Sequence, residues 1–194
     1  MACELGASVV RTHNVAVTVK ALSGLRPYVI LSLGSNIALV ANEGEETDGK
    51  RAQIDLAIAS LCQIPDSQII DMSHYYLSEP AYLKDQEDFV NVAVLMRTGI
   101  PPKELLGYLH AIEGMLGRRR EVENGPRTID IDIVDFQLYT AISDELTLPH
   151  PGAVDRDFVV KPVCEMLPAH VLADGTRIDV LPEEKRIGKA TRIN

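Results

Sequence analysis

Ile129-Asp130-Ile131-Asp132-Ile133 alternates apolar and acidic residues without a break, the pattern of a strand with one buried and one polar face. Successive strand side chains point to opposite faces, so the three isoleucines turn to a core. Asp130 and Asp132 share the other side, about 6.6 Å apart at about 3.3 Å per residue. Just upstream, Asn124-Gly125-Pro126 reads as a turn. Before that turn, a helix opens at Pro101-Pro102, with Leu105, Leu109, Ile112, Met115 and Leu116 as its apolar stripe and Gly117 past its end. Phe89 to Arg97 and Ser67 to Tyr76 are rich in β-branched and aromatic residues and read as strands. The loop Leu77 to Asp88 between them is too long for a tight hairpin, which invites a functional role. Ile54, Ala57, Ile58 and Leu61 give a helix over Arg51 to Cys62 that ends before Pro65, while Ile37 to Lys50 reads as a loop or a ragged helix start. Tyr28 to Leu33 is a buried strand running into Gly34-Ser35-Asn36. The order strand, helix, strand, strand, helix, strand predicts an α+β, ferredoxin-like sandwich, a mainly antiparallel sheet with helices packed on it.

The 194 residues, 46% hydrophobic and 24% charged, suit one compact domain with some excess. With 28 acidic against 19 basic residues the formal charge is -9, which repels a nucleic-acid backbone, so no nucleic-acid partner is expected. Cys3, Cys62 and Cys164 are odd in number and lack zinc spacing, so neither disulfides nor structural zinc is expected. No apolar run approaches the length needed to cross a bilayer, and no secretory leader is visible. The expected location is cytoplasmic, away from membranes. Glu183 to Asn194 is polar and is expected to be a frayed tail.

A pair of carboxylates on one strand face suits one or two divalent ions, since paired catalytic metals lie about 3.5 to 4 Å apart, and oxygen-only ligands favour magnesium. The same i, i+2 pair also describes the solvated face of an ordinary strand. Its surroundings tilt the reading: Gly125-Pro126-Arg127-Thr128 delivers an arginine beside the two acids, and Arg118-Arg119-Arg120 stands upstream. Carboxylates for metal beside guanidiniums for phosphate are what phosphoryl-type transfer requires, because that chemistry rests on positioning and charge neutralisation. The arginine triplet alone would equally be a solvated run complementing a helix C-terminus. Neither a G-x-x-x-x-G-K-[ST] loop nor a G-x-G-x-x-G loop occurs, which leaves side chains and metal to hold any phosphates.

The run Glu123-Asn124-Gly125-Pro126-Arg127-Thr128-Ile129-Asp130-Ile131-Asp132-Ile133 resembles the signature of the 6-hydroxymethyl-7,8-dihydropterin pyrophosphokinases. Leu33-Gly34-Ser35-Asn36, Asp88-Phe89-Val90-Asn91, Leu146-Thr147-Leu148-Pro149-His150 and Arg156-Asp157-Phe158 agree in order and approximate spacing, and the resemblance covers about residues 28 to 180. It implies transfer of diphosphate from ATP to the hydroxymethyl group of a reduced pterin, with release of AMP. It further implies that Asp130 and Asp132 hold two magnesium ions, and that Arg118, Arg120 and Arg127 act in catalysis. His110, Glu113, Arg118, Arg120, Arg127, Ile133, Thr147, His150 and Arg156 would then meet ATP. Asn91 would bond the pterin edge, Phe89 and Phe158 would stack on its faces, and Ser78, Pro80 and Ala81 would line the same pocket. Asn124 and Glu145 depart from the family pattern, which carries an aromatic and a basic residue near those positions.

Gly6 to Leu25, with Arg11 and His13, is similar to the C-terminal end of dihydropteroate synthase. The chain thus divides into an extension over residues 1 to 27, a pyrophosphokinase domain over 28 to 182 and a polar tail over 183 to 194. Dihydropteroate synthase becomes a possible partner. Two other classes stand beside the enzyme: a catalytically weakened pterin- or nucleotide-binding partner of that synthase, which need not keep the metal pair, and a magnesium-dependent nuclease, disfavoured by the acidic charge. Repulsion among Arg118, Arg119 and Arg120 predicts a loop between Gly117 and Gly125 that closes only when phosphate arrives.

Overall fold

The computed structural model describes residues 26–38, 46–118 and 125–193. Strand β1 (Tyr28–Ser35) is apolar on both faces and leads to helix α1 (Glu46–Leu61). Strands β2 (Ser67–Met72), β3 (Tyr75–Ser78) and β4 (Phe89–Thr98) follow, then helix α2 (Pro102–Met115) and strand β5 (Asp130–Phe136). A small hairpin of β6 (Ala141–Ile142) and β7 (Thr147–Leu148) precedes helix α3 (Asp157–Met166), and the chain closes with a 3-10 turn at Glu183–Lys185 and strand β8 (Ala190–Ile193). The sheet order is β5-β1-β4-β3-β8, with β2 also on β4, and each pairing between these strands is antiparallel. This is the expected α+β sandwich, the second strand of the pattern being broken in two. The break lies at Ser73, whose Oγ accepts from Ala93 N at 3.0 Å and donates to His74 O at 2.8 Å. A side chain that takes over a ladder bond lets the backbone turn there without orphaning a donor.

Apolar side chains fill both faces of the sheet. Leu31, Leu33, Val92, Val94, Ile131 and Ile133 pack with Ile54, Ala57, Leu105 and Leu109 of α1 and α2. Ile30, Ala93, Leu95 and Val134 pack with Val159, Val160 and Val163 of α3 and with Leu172 and Ile178 beyond it. A fully buried Val, Leu or Ile contributes about 1.5 to 3 kcal/mol, so the central strands β1 and β4 anchor both layers. No helix among the described residues is long and apolar enough to cross a membrane.

Three expectations need correction. Helix α1 starts at Glu46 rather than Arg51; an aspartate in its first turn, Asp48, complements the helix dipole and lies 4.0 Å from Arg51. Met115 is 73% exposed, and the buried stripe of α2 runs instead through Leu105, Leu109, Ile112 and Glu113. Four residues beyond Leu109 the helix returns to the same face at Glu113, so a carboxylate takes the core-facing position there. The polar tail is a further correction. Ser78 pairs with Ala190 and Tyr75 with Ile193, which makes β8 the outer strand of the sheet. Ladder bonds are made by backbone, so a strand can form with little apolar content when a neighbour offers an unpaired edge.

Candidate active site

Strand β5 is an outer strand, and its unpaired edge organises the charged part of the molecule. Ile131 N donates to Glu113 Oε1 at 2.8 Å, and Val134 O accepts from His150 N at 2.8 Å. Glu113, only 3% exposed, also pairs with Arg118. Helix α2 and the segment after β7 are thereby fastened to the strand that carries Asp130 and Asp132. Asp130 binds Arg118 Nη2 at 2.6 Å and Arg127 Nη1 at 2.5 Å. Asp132 Oδ2 lies 3.3 Å from Arg156 Nη1 and 3.8 Å from His150 Nε2. Burial holds the Asp132 carboxyl above the usual carboxylate range and Asp130 pushes the same way, against the charges of His150, Arg156 and Arg118. Burial lowers His150, and Asp132 opposes that shift.

Asn36 draws the surrounding segments together. Its Oδ1 accepts from Arg127 N at 2.7 Å, and its Nδ2 donates to Gln86 Oε1 at 3.1 Å and Glu87 O at 3.2 Å. One buried amide at the end of β1 therefore fixes both the turn that presents Arg127 and the loop between β3 and β4.

Across the sheet face the site becomes neutral. Asn91 is 2% exposed, and its Nδ2 donates to Ser78 Oγ at 2.9 Å and to the carbonyls of Phe89 and Tyr76 at 3.3 and 3.4 Å. A Cβ on Gly34 would stand 3.0 Å from Asn91 Oδ1, so a glycine opposite it in β1 leaves the amide its room. Phe89 carries the Arg127 guanidinium 5.9 Å from its ring centre, and Phe158 carries that of Arg156 at the same distance.

These side chains line a cleft of about 190 Å³. Of the residues singled out in the sequence it gathers Ser78, Ala81, Phe89, Asn91, Arg118, Arg127, Asp130, Asp132, His150, Arg156 and Phe158. A second cleft of about 290 Å³ takes His110, Glu113, Ile133 and Thr147 and shares Arg118, Asp132 and His150 with the first. Glu145 lines it too and pairs with Lys103 at 2.7 Å. Pro80 lines neither cleft; its carbonyl accepts from Lys84 Nζ at 2.6 Å. Arg119, Arg120 and Asn124, the middle of the 117–125 loop and the extension up to residue 25 lie outside the described residues.

Tyr82, Glu79, Gln86 and Ser32 also line the first cleft and were missed. Tyr82 is the most telling of them. Its hydroxyl accepts from Arg156 Nε at 3.0 Å, and the guanidinium sits 5.5 Å from its ring centre. The length of the 77–88 loop was the one available signal for it, since a lone tyrosine in a loop has no periodicity.

Among the described residues no three His, Cys, Asp or Glu side chains converge as a metal-ligand set. Asp130 and Asp132 nevertheless fit a hard divalent ion. They are two oxygen ligands on one strand face, and magnesium usually completes its shell with phosphate oxygens and water. Three guanidiniums, those of Arg118, Arg127 and Arg156, are held by these two carboxylates, and His150 Nε2 lies 3.8 Å from Asp132; such groups suit phosphate oxygens. The arrangement can therefore bring a metal-bound polyphosphate in one cleft against a flat, edge-polar molecule in the other.

A family model described as 7,8-dihydro-6-hydroxymethylpterin-pyrophosphokinase matches residues 30–168. The chain is 36% identical over 132 residues to the 2-amino-4-hydroxy-6-hydroxymethyldihydropteridine pyrophosphokinase of Bacillus subtilis, covering 68% of this chain and 78% of that one. It is 33% identical over 153 residues to the Pseudomonas aeruginosa protein of the same name, covering 79% and 88%. It is also 36% identical to the folic acid synthesis protein fol1 of Schizosaccharomyces pombe, of which the chain spans 18%. A crystal structure of Plasmodium falciparum HPPK-DHPS with pteroate shares the fold, with a TM-score of 0.58 at 14% identity over 79% of this chain and 42% of that one.

Proposed function

The chain belongs to the 7,8-dihydro-6-hydroxymethylpterin-pyrophosphokinase family, and from that premise we propose that it moves the terminal diphosphate of ATP onto the hydroxymethyl oxygen of 6-hydroxymethyl-7,8-dihydropterin. The observation that carries this reading is the meeting of two clefts at Asp132, Arg118 and His150. The reduced pterin occupies the first. Asn91 meets its polar edge and Phe89 and Phe158 its faces, an arrangement that matches a flat heterocycle with several donors and acceptors. The nucleotide occupies the second, beside His110, Ile133 and Thr147, with its phosphates reaching Arg118, Arg127, His150 and Arg156.

The pterin oxygen attacks the β-phosphorus in line, and the bond from that phosphorus to the oxygen bridging the α-phosphorus breaks. AMP keeps that oxygen, and the hydroxyl proton passes to solvent. Arg118, Arg127 and Arg156 hold the polyphosphate and balance the charge that gathers as AMP departs. Glu113 keeps Arg118 on station. Asp130 and Asp132 would hold the magnesium, two ions in this reading, whose chemistry is to neutralise phosphate oxygens and acidify the hydroxyl.

A link to dihydropteroate synthase completes the proposal. Two solved neighbours are HPPK-DHPS proteins, residues 5–25 resemble the end of that synthase, and the diphosphate ester formed here is an activated alkylating group of the kind such a synthase consumes. AMP release from ATP and magnesium, measured with and without the reduced pterin, tests the activity. Pterin-dependent AMP formation is expected; AMP formed equally without pterin, or none at all, would overturn it.

A further inference from the structure

The family match ends at residue 168, yet the chain beyond it comes back to the cleft. Ile187 N donates to Asp155 O at 2.8 Å, and Asp157 N donates to Ile187 O at 2.9 Å. Asp157, 0% exposed, takes Ala190 N at 3.0 Å, Lys161 Nζ at 3.0 Å and Arg186 Nη1 at 3.4 Å. On its other side the same stretch receives Glu79 N on Lys189 O at 3.2 Å and pairs Ala190 with Ser78. Residues 186–190 thus span the two walls of the first cleft, the start of α3 with Phe158 and the end of β3 with Ser78 to Ala81. Gly188 stands at the middle of that span with φ +58. A Cβ built on it would lie 2.6 Å from Phe158 Cδ1, 2.8 Å from Phe158 Cε1 and 3.3 Å from the Ala81 Cβ. Carbon atoms in contact need about 3.5 to 4.0 Å.

We propose that Gly188 is a positioning residue for the pterin: its bare Cα lets the Phe158 ring lie back against the 186–190 segment, and the buried Asp157 carboxylate locks that segment in place. The inference rests on the reading that the first cleft takes a reduced pterin. Any side chain at position 188 drives the ring off its backing. The ring yields toward the cleft, because the backbone behind it is tied by the bonds just described. The displacement acts first on the stacking face and meets Asp132 only through Arg156, which lies against the same ring, so pterin binding responds more strongly than ATP binding.

The experiment measures reduced-pterin affinity by calorimetry, KM for both substrates and the thermal midpoint, in the whole chain, for wild type, Gly188→Ala, Phe158→Leu and the double variant. Gly188→Ala is expected to weaken pterin binding about tenfold, the upper range of one lost aromatic stack, with KM for ATP within about twofold. In the Phe158→Leu background the alanine should add less, since leucine has no Cε1 and its Cδ1 sits on a freely rotating branch rather than a rigid ring; such non-additivity is the mark of one residue acting through another. Wild type that binds no reduced pterin would overturn the functional reading itself. Wild type that binds it, with Gly188→Ala binding equally well, would overturn this inference alone, as would equal losses for pterin and ATP. If Gly188→Ala does not fold, its left-handed backbone accounts for part of the loss; partial recovery of the midpoint in the double variant supports the contact with Phe158, and no recovery overturns it.

Discussion

The two ends of the first cleft are built on opposite plans. At the charged end, Asp130, Asp132, Arg118, Arg127 and Arg156 are held by one another through ion pairs of 2.5 to 3.3 Å, with His150 3.8 Å from Asp132. At the aromatic end, Asn91 and Ser78 are held by each other and by backbone. The first plan keeps charged side chains together by exchangeable partners, so that in the proposed reaction phosphate oxygens can replace carboxylates on the guanidiniums. The second fixes an amide with hydrogen bonds it cannot trade, which suits recognition of a rigid ring, where an unpaired buried polar group is costly.

The largest expected effect lies at the charged end. Asp130→Asn or Asp132→Asn should lower kcat by at least about 100-fold, since even groups that merely support a metal ligand cost about 10 to 100-fold when removed. Steady-state AMP release measures it, with circular dichroism to verify the fold. Near-normal turnover in either variant would remove that carboxylate from the metal pair and break the division between the ends.

Next comes the neutral end. Asn91→Leu removes the amide and leaves Ser78 Oγ without its donor; KM for the pterin should rise about 10 to 100-fold, the worth of one or two buried hydrogen bonds. KM for ATP should stay within about twofold. If ATP affinity fell in step, the ends would not be separable units.

Salt distinguishes the plans without mutation. Raising potassium chloride from about 0.05 to about 0.5 M shortens the screening length from roughly 14 to roughly 4 Å. KM for ATP should then rise several-fold, while pterin binding followed by calorimetry should barely change. A matching loss for pterin would mean that charge also governs the aromatic end.

The smallest effect belongs to the boundary, where Tyr82 binds Arg156. Tyr82→Phe keeps the ring and loses the hydroxyl, and should raise KM for ATP about two- to fivefold, the range of one partly exposed hydrogen bond to a charge. Tyr82→Ala, which also strips the ring from the guanidinium, should exceed it. Equal values for both variants would show that the hydroxyl alone sets the position of Arg156.

Much of the fold was legible because its elements are written in local periodicity. The alternation at 129–133, the stripe of α2 and the apolar run of β1 each name an element type and the side facing the core, and their order is enough for an antiparallel α+β sheet. The signature around Asp130 and Asp132 is equally local, because strand geometry alone puts both carboxylates on one face. What lay beyond reach depends on partners distant in sequence. Glu113 takes a core position of α2 because the open edge of β5 supplies Ile131 N, eighteen residues away. Residues 186–193 look like a polar tail until β3 offers an edge and Asp157 a buried acceptor. Tyr82 enters the site only through Arg156, seventy-four residues later. Sequence determines what each short stretch can bury and which chemistry it carries. Tertiary structure decides which orphaned backbone groups and charges meet, because their partners come from segments that only folding brings together.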